Sequence, residues 1–219
     1  HIGGFTQRGD SGVAPDQQGS LLGVIDKIPY LKQLGVTTIE LLPVQAFDPQ
    51  DAPPGRDNVW GYSPLSWFAP HQGYVGGDDP MKARDQMRNL VAACHDADLE
   101  VLLDVVYNHT TEGNVDGPTL SWRGFADRTY YHQTEKGNYQ DVSGCGNTIA
   151  AHQPLSRELI LESLRCWALE LGVDGFRFDL GIALSRGEGL KPLDQPALFE
   201  AMEADPLLSE LKLVSEPWD

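Results

Sequence analysis

A chain of 219 residues with 16 Lys and Arg against 32 Asp and Glu carries a formal charge of −16, which excludes the basic surface that binding to nucleic acid requires. With 41% hydrophobic residues and no low-complexity tract, it is long enough for one domain with a sizeable core, and no apolar run approaches the roughly 18 to 20 residues of a membrane span. Cys94, Cys145 and Cys166 are odd in number and lack metal-ligand spacing, a usage that suits reduced thiols in a cytoplasm rather than a disulfide framework or a metal site.

In chain order, a Gly-rich opening gives way to SLLGVIDKIPYLKQLGV, residues 20–36, whose apolar positions recur at helical spacing and whose Gly35 reads as a C-cap. TTIELLPV, residues 37–44, reads as a strand. The stretch 45–77, rich in Pro, Gly and aromatics, reads as a long loop with short turns, and loops of that length in compact domains are usually functional. A second helix over residues 79–99 starts from Asp79 as N-cap with Pro80 at its first position. EVLLDVVYNH, residues 100–109, is then a nearly continuous apolar strand, as expected for one buried on both faces of a parallel sheet. Another long loop leads to a third helix, residues 156–172, ended by Gly172. VDGFRFDLG is a strand whose Phe176 and Phe178 alternate with Arg177 and Asp179, a fourth helical segment covers residues 195–205, and LKLVSE is the last strand. Alternation of strand and helix implies a parallel sheet with right-handed crossovers. Long loops only on the strand-to-helix side favour a (β/α)₈ barrel, whose active site is built from those loops, over a doubly wound sheet. No Gly-rich nucleotide-binding fingerprint follows any strand.

Ionisable residues gather at the strand ends. Asp104, Asn108 and His109 lie on or just after one strand, Arg177 and Asp179 end the next, and Glu216 ends the one after. Neighbouring parallel strands lie about 4.8 Å apart, which puts the Asp179 and Glu216 carboxyls on the order of 5 Å apart, the separation of a retaining glycosidase. Arg177, on the same strand face two residues earlier, is expected to lower the pKa of Asp179 and keep it ionised, while Asp179 as a like-charged neighbour helps Glu216 hold a proton.

DVVYNH (Asp104 to His109), GFRFDLG (Gly175 to Gly181) and SEPWD (Ser215 to Asp219) resemble, in order, the first three motifs of the α-amylase superfamily of glycoside hydrolases, at the ends of the third, fourth and fifth barrel strands. KIPYLKQLGVTTIELLPV, NVWGYSPLSWFAPHQGY and the GCGN-containing YYHQTEKGNYQDVSGCGNT resemble isoamylase-type debranching enzymes of glycogen and starch. The resemblance implies that Asp179 is the nucleophile and Glu216 the general acid/base. It implies further that Arg177 holds the nucleophile, that Asp104 and His109 bind the sugar at the scissile bond, and that Tyr62 stacks on that sugar. Asn108 is given only a structural role. The implied substrate is a branched α-glucan, with no cofactor and no metal.

Barrels of this superfamily have eight strands and a fourth motif, a His–Asp pair, that has no counterpart in these 219 residues. HIGGFT resembles the end of strand one. Residues 1–219 are therefore expected to be the N-terminal portion of a catalytic (β/α)₈ domain, from the end of strand one through strand five, truncated at both ends and inactive alone. The alternatives are an α-1,4-acting amylase or glucosyltransferase with the same motifs, a noncatalytic starch-binding protein, and, more distantly, a phosphosugar barrel enzyme.

Overall fold

The computed structural model describes residues 1–217; Trp218 and Asp219, the end of the SEPWD motif, lie outside the described residues. Where the resemblance implies the tail of a strand, the chain instead opens on a helix, α1 (Ile2–Thr6), because His1 Nδ1 accepts the Gly4 N–H at 2.7 Å as an N-cap. The single helix expected over residues 20–36 is two, α2 (Leu21–Asp26) and α3 (Ile28–Leu34). The break falls at Lys27, where Pro29 enters the first turn of α3 without an N–H to continue the earlier ladder. Ser20 Oγ caps α2 by accepting the Gly23 N–H at 3.2 Å. Gly35 ends α3 with a φ of 81°, the left-handed conformation that favours glycine.

β1 (Thr38–Leu41) follows. The stretch read as a loop contains an antiparallel pair, β2 (Gln45–Phe47) and β3 (Pro64–Pro70). Asp79 does cap, accepting the Met81 N–H at 3.1 Å, and a 3₁₀ turn at Pro80–Lys82 leads into α4 (Ala83–Asp96). Then come β4 (Glu100–Val105), α5 (Arg123–Tyr130) within the next long connection, and α6 (Pro154–Leu171), ended by Gly172 at a φ of 80°. β5 (Gly175–Phe178), α7 (Ala197–Ala204) and β6 (Lys212–Ser215) complete the order.

β1, β4, β5 and β6 form one parallel sheet in that order. It is the alternating α/β architecture expected of part of a barrel, and the sheet is open among the described residues. Leu103, Val105, Phe176 and Phe178 pack into one apolar cluster with Met87 and Leu90 of α4 and Ile160, Leu164 and Trp167 of α6. Alternation along a strand sends Asp104 and Arg177, which are register partners, to the opposite face. α6 is tied to β3 by more than apolar contact. The Trp67 carbonyl accepts from Trp167 Nε1 at 2.7 Å and from Ser163 Oγ at 2.6 Å, inside the core. A Cβ on Gly175 would collide with the Lys212 carbonyl, so glycine lets β5 and β6 approach at the point that sets their register. No helix among the described residues is long and apolar enough to cross a membrane.

Candidate active site

The in-register pairing of Asp104 with Arg177, and of Arg177 with Val214, puts the ends of β4, β5 and β6 at one level of the sheet. Asp179 and Glu216 each lie two residues beyond that row, on the same face. The consequence is a cluster of three carboxylates around one guanidinium. Arg177 Nη1 donates to Asp104 Oδ1 at 2.9 Å and lies 3.4 Å from Asp179 Oδ1, while Nη2 reaches Glu216 Oε1 at 2.7 Å. All four side chains are largely shielded, from 3% exposed at Asp104 to 18% at Arg177. Glu216 Oε2 also accepts the Leu180 N–H at 2.9 Å. Leu180 adopts a left-handed conformation, φ 42°, in the residue after Asp179. Strain there, on the order of 1 to 2 kcal/mol for a residue with a Cβ, turns its N–H toward the acid.

The loop between β2 and β3 brings Tyr62 to the cluster. Its hydroxyl donates to Asp104 Oδ2 at 2.5 Å, and its backbone carbonyl lies 2.9 Å from His109 Nε2. His109 Nδ1 is 2.6 Å from Asn108 Oδ1. Burial lowers the pKa of His109, the Tyr62 carbonyl and more distant carboxylates opposing it. Every residue assigned to the site from sequence, Tyr62, Asp104, His109, Arg177, Asp179 and Glu216, therefore falls in one connected network.

The electrostatics differ from expectation at Asp179. Its pKa is raised: burial is the largest cause, Glu216 adds to it, and the Asn108 bond and Arg177 only partly offset it. The physical reason is burial, which outweighs the lowering by Arg177; that cation's shorter bonds go to Asp104 and Glu216, and Asp179 has the longest contact. Asp104 is raised to about 6, again by burial, against hydrogen bonds from Tyr62 and Arg177. Burial alone would depress Arg177, yet its bond to Asp104 and the charges of Asp104 and Glu216 raise it. One cation cannot balance three anions in a shielded site, so the cluster favours retaining a proton among its carboxyls.

Asn108, read from sequence only as structural, holds Asp179 directly: Nδ2 donates to the Asp179 backbone oxygen at 2.9 Å and to Oδ2 at 2.7 Å. Its place in DVVYNH, four residues beyond Asp104, was the available signal. The GCGN segment also reaches the site. Asp141 accepts the N–H groups of Ser143, Gly144 and Gly146, shaping a turn around Cys145. Cys145 itself is exposed. Asn147 fixes the loop's return by accepting the Thr110 N–H at 3.0 Å and donating to the carbonyls of Thr110 and Gly113 at 3.0 and 2.9 Å. Buried Glu112 gathers the N–H groups of Leu120, Ser121 and Arg123 at 2.7 to 3.0 Å, and the Tyr131 hydroxyl. Neither Asn147 nor Glu112 was singled out from sequence. Among the described residues no group of three or more His, Cys, Asp or Glu is placed to hold a metal ion.

Residues 6–149 match the family model described as alpha amylase, catalytic domain. The chain is 43% identical over 229 residues to isoamylase 3, chloroplastic, of Oryza sativa subsp. japonica, and 40% identical over 226 residues to a glycogen operon protein GlgX homolog of Mycobacterium tuberculosis; each alignment covers all of this chain. A glycogen debranching enzyme of Klebsiella pneumoniae is 45% identical over 194 residues, 88% of this chain. The chain spans 29 to 31% of the length of these relatives. The crystal structure of a pullulanase from Anoxybacillus sp. LM18-11 superposes on the whole chain with a TM-score of 0.81 at 29% identity, over 31% of its own length.

Proposed function

The chain belongs to the alpha-amylase catalytic-domain family, and from that membership we propose that the whole protein hydrolyses α-1,6-glucosidic branch linkages of glycogen or starch with retention of anomeric configuration. The observation that carries the reading is the Arg177-centred cluster of Asp104, Asp179 and Glu216 at three successive strand ends. Relatives named as isoamylase and glycogen debranching enzyme support the choice of linkage.

In the proposed mechanism Asp179 attacks the anomeric carbon while Glu216 protonates the departing glycosidic oxygen. Water, deprotonated by Glu216, then displaces Asp179 from the covalent glycosyl intermediate. Asn108 and Arg177 hold the Asp179 carboxylate. Tyr62 presents its ring to the apolar face of the sugar, braced through its hydroxyl on Asp104. Asp104 and His109 line the same subsite, with His109 fixing the Tyr62 backbone. No cofactor enters this scheme, and its substrate is a branched α-glucan. Residues 1–219 are on this reading the N-terminal portion of a (β/α)₈ catalytic domain. Three free cysteines, Cys94 among them buried, favour a reducing compartment such as a cytoplasm.

Release of linear chains from amylopectin, set against endo-cleavage of amylose, tests the linkage. Dominant cleavage of amylose would transfer the reading to an α-1,4-acting amylase. In the full-length protein Asp179→Asn is expected to abolish turnover and the glycosyl intermediate together; wild-type activity in that variant would remove Asp179 from the nucleophile's role.

A further inference from the structure

His109 sits between two groups that can only accept a hydrogen bond from it. Its Nε2 lies 2.9 Å from the backbone carbonyl of Tyr62, and its Nδ1 lies 2.6 Å from Asn108 Oδ1. A carbonyl has no proton to give. Nor can the Asn108 amide turn its nitrogen toward the ring, because Nδ2 donates to the Asp179 backbone oxygen at 2.9 Å as well as to Oδ2 at 2.7 Å. The first of those acceptors is a peptide oxygen whatever the protonation of the Asp179 carboxyl, so a flipped amide would set oxygen against oxygen. His109 is 3% exposed and Asn108 fully buried, so bulk solvent offers the ring no alternative partner.

A neutral imidazole carries one N–H and one lone pair. Either neutral tautomer would here point its lone pair at an oxygen lone pair, at 2.6 Å on one side or at 2.9 Å on the other. Only the imidazolium donates from both nitrogens. Burial works against that charge and lowers the pKa of the ring, while the Tyr62 carbonyl, Asp141 on the connection after β4 and Asp51 on the connection between β2 and β3 work for it. Asn108 Oδ1 adds the second acceptor, at a separation short even for a charge-assisted bond, and such bonds are roughly twice as strong as neutral ones. Beyond Asn108 stand Asp179, Asp104 and Glu216, with Arg177 as the cation they share. Their excess of negative charge also favours a proton nearby.

We propose that His109 is an imidazolium near pH 7, a second cation of the site that spans the Tyr62 backbone and the Asn108 amide. It is a positioning residue. One N–H fixes the segment that carries the Tyr62 ring. The other polarises Asn108, whose Nδ2 then donates more strongly to Asp179 and steadies its ionised form. Loss of the second proton at high pH makes one of the two contacts repulsive and releases either Tyr62 or Asn108. The charge state follows from the hydrogen bonds alone, whereas its effect on a nucleophile rests on the function proposed above.

Neutron diffraction from deuterium-exchanged crystals of the full-length protein, grown near pH 7, reads the charge directly. Nuclear density for deuterons on both Nδ1 and Nε2 of His109 is expected. Density on one nitrogen alone overturns the proposal, and the measurement needs neither turnover nor a variant that folds. Kinetics of the full-length protein then test the positioning role. His109→Gln is expected to lower kcat/KM about tenfold near pH 6, a gap that narrows toward about pH 9 as the wild-type ring loses its second proton. A gap of constant size across that range overturns positioning through charge. Two deuterons on the ring of a protein that cleaves no branched glucan would sink the function proposed above and leave the charge state standing.

Discussion

One guanidinium shared by three carboxylates makes each member of the cluster dependent on the others' protonation. Asp104 shows the consequence most directly. Its pKa of about 6, against an ordinary 3.8, means that the folded state keeps a proton the unfolded chain has released between those values. Stability therefore falls as pH rises through that window, by the linkage relation. At ~1.4 kcal/mol per pH unit the effect is on the order of 3 kcal/mol. Unfolding midpoints of wild type and Asp104→Asn compared from about pH 4 to about pH 6.5 should show the wild type losing ground steadily; parallel profiles would mean that Asp104 titrates as in water. Asn108 works in the other direction on its neighbour, since its amide lowers the pKa of Asp179. Asn108→Ala should shift the acid limb of kcat/KM to higher pH and cost about 1 to 3 kcal/mol of stability. A stability loss with an unmoved pH profile would leave Asn108 a packing residue only. Sequence spacing brought Asp104, Arg177, Asp179 and Glu216 together because β-sheet register is periodic. It misjudged the charge balance at Asp179, because how deeply a carboxyl is buried, and how far that outweighs a neighbouring Arg, depends on packing that no spacing encodes.

At the level of elements, strands and helices were readable wherever burial imposes a period. β4, apolar at nearly every position, and α6, capped by Gly172, lie where their patterns place them. β2 escaped because it is only three residues long and β3 because a Pro stands at each of its ends, and their pairing is irregular, with register shifts on both sides of Ala46. The break at Lys27 was written in the sequence as Pro29, but a continuous apolar stripe outweighed it. The link between β3 and α6 was also hidden, since it joins a backbone carbonyl at residue 67 to side chains about a hundred positions later. Trp167→Phe keeps an aromatic ring in the core, gives up part of its volume and deletes one of the three donors to the Trp67 carbonyl, leaving Ser163 and the longer contact from Gln45 Nε2 at 3.4 Å. A denaturant midpoint lowered by the equivalent of roughly 1 to 3 kcal/mol with an unchanged m-value is expected; no shift would mean that Ser163 and Gln45 satisfy the carbonyl between them.

Across the 219 residues, the charge of −16 repels polyanions. β6, at the edge of the sheet, exposes Leu213 and Val214 at 40% and 46%, and an apolar groove along it is lined by Phe178, Phe199 and Met202. Relatives three times as long have further chain with which to cover such a face. The 219 residues by themselves are therefore expected to hydrolyse no pullulan at a measurable rate and to bind an apolar dye strongly; brisk turnover by the purified 219-residue chain would overturn this.

The connection between β4 and α6 carries a different kind of consequence. Asn147 fastens its far end to Thr110 and Gly113 at its near end, and Glu112 fastens its middle, so the segment's polar bonds close largely upon themselves. A piece of chain that brings its own fastenings is portable. Transplanted between the same two elements of a related barrel, residues 110–149 should arrive with their shape intact.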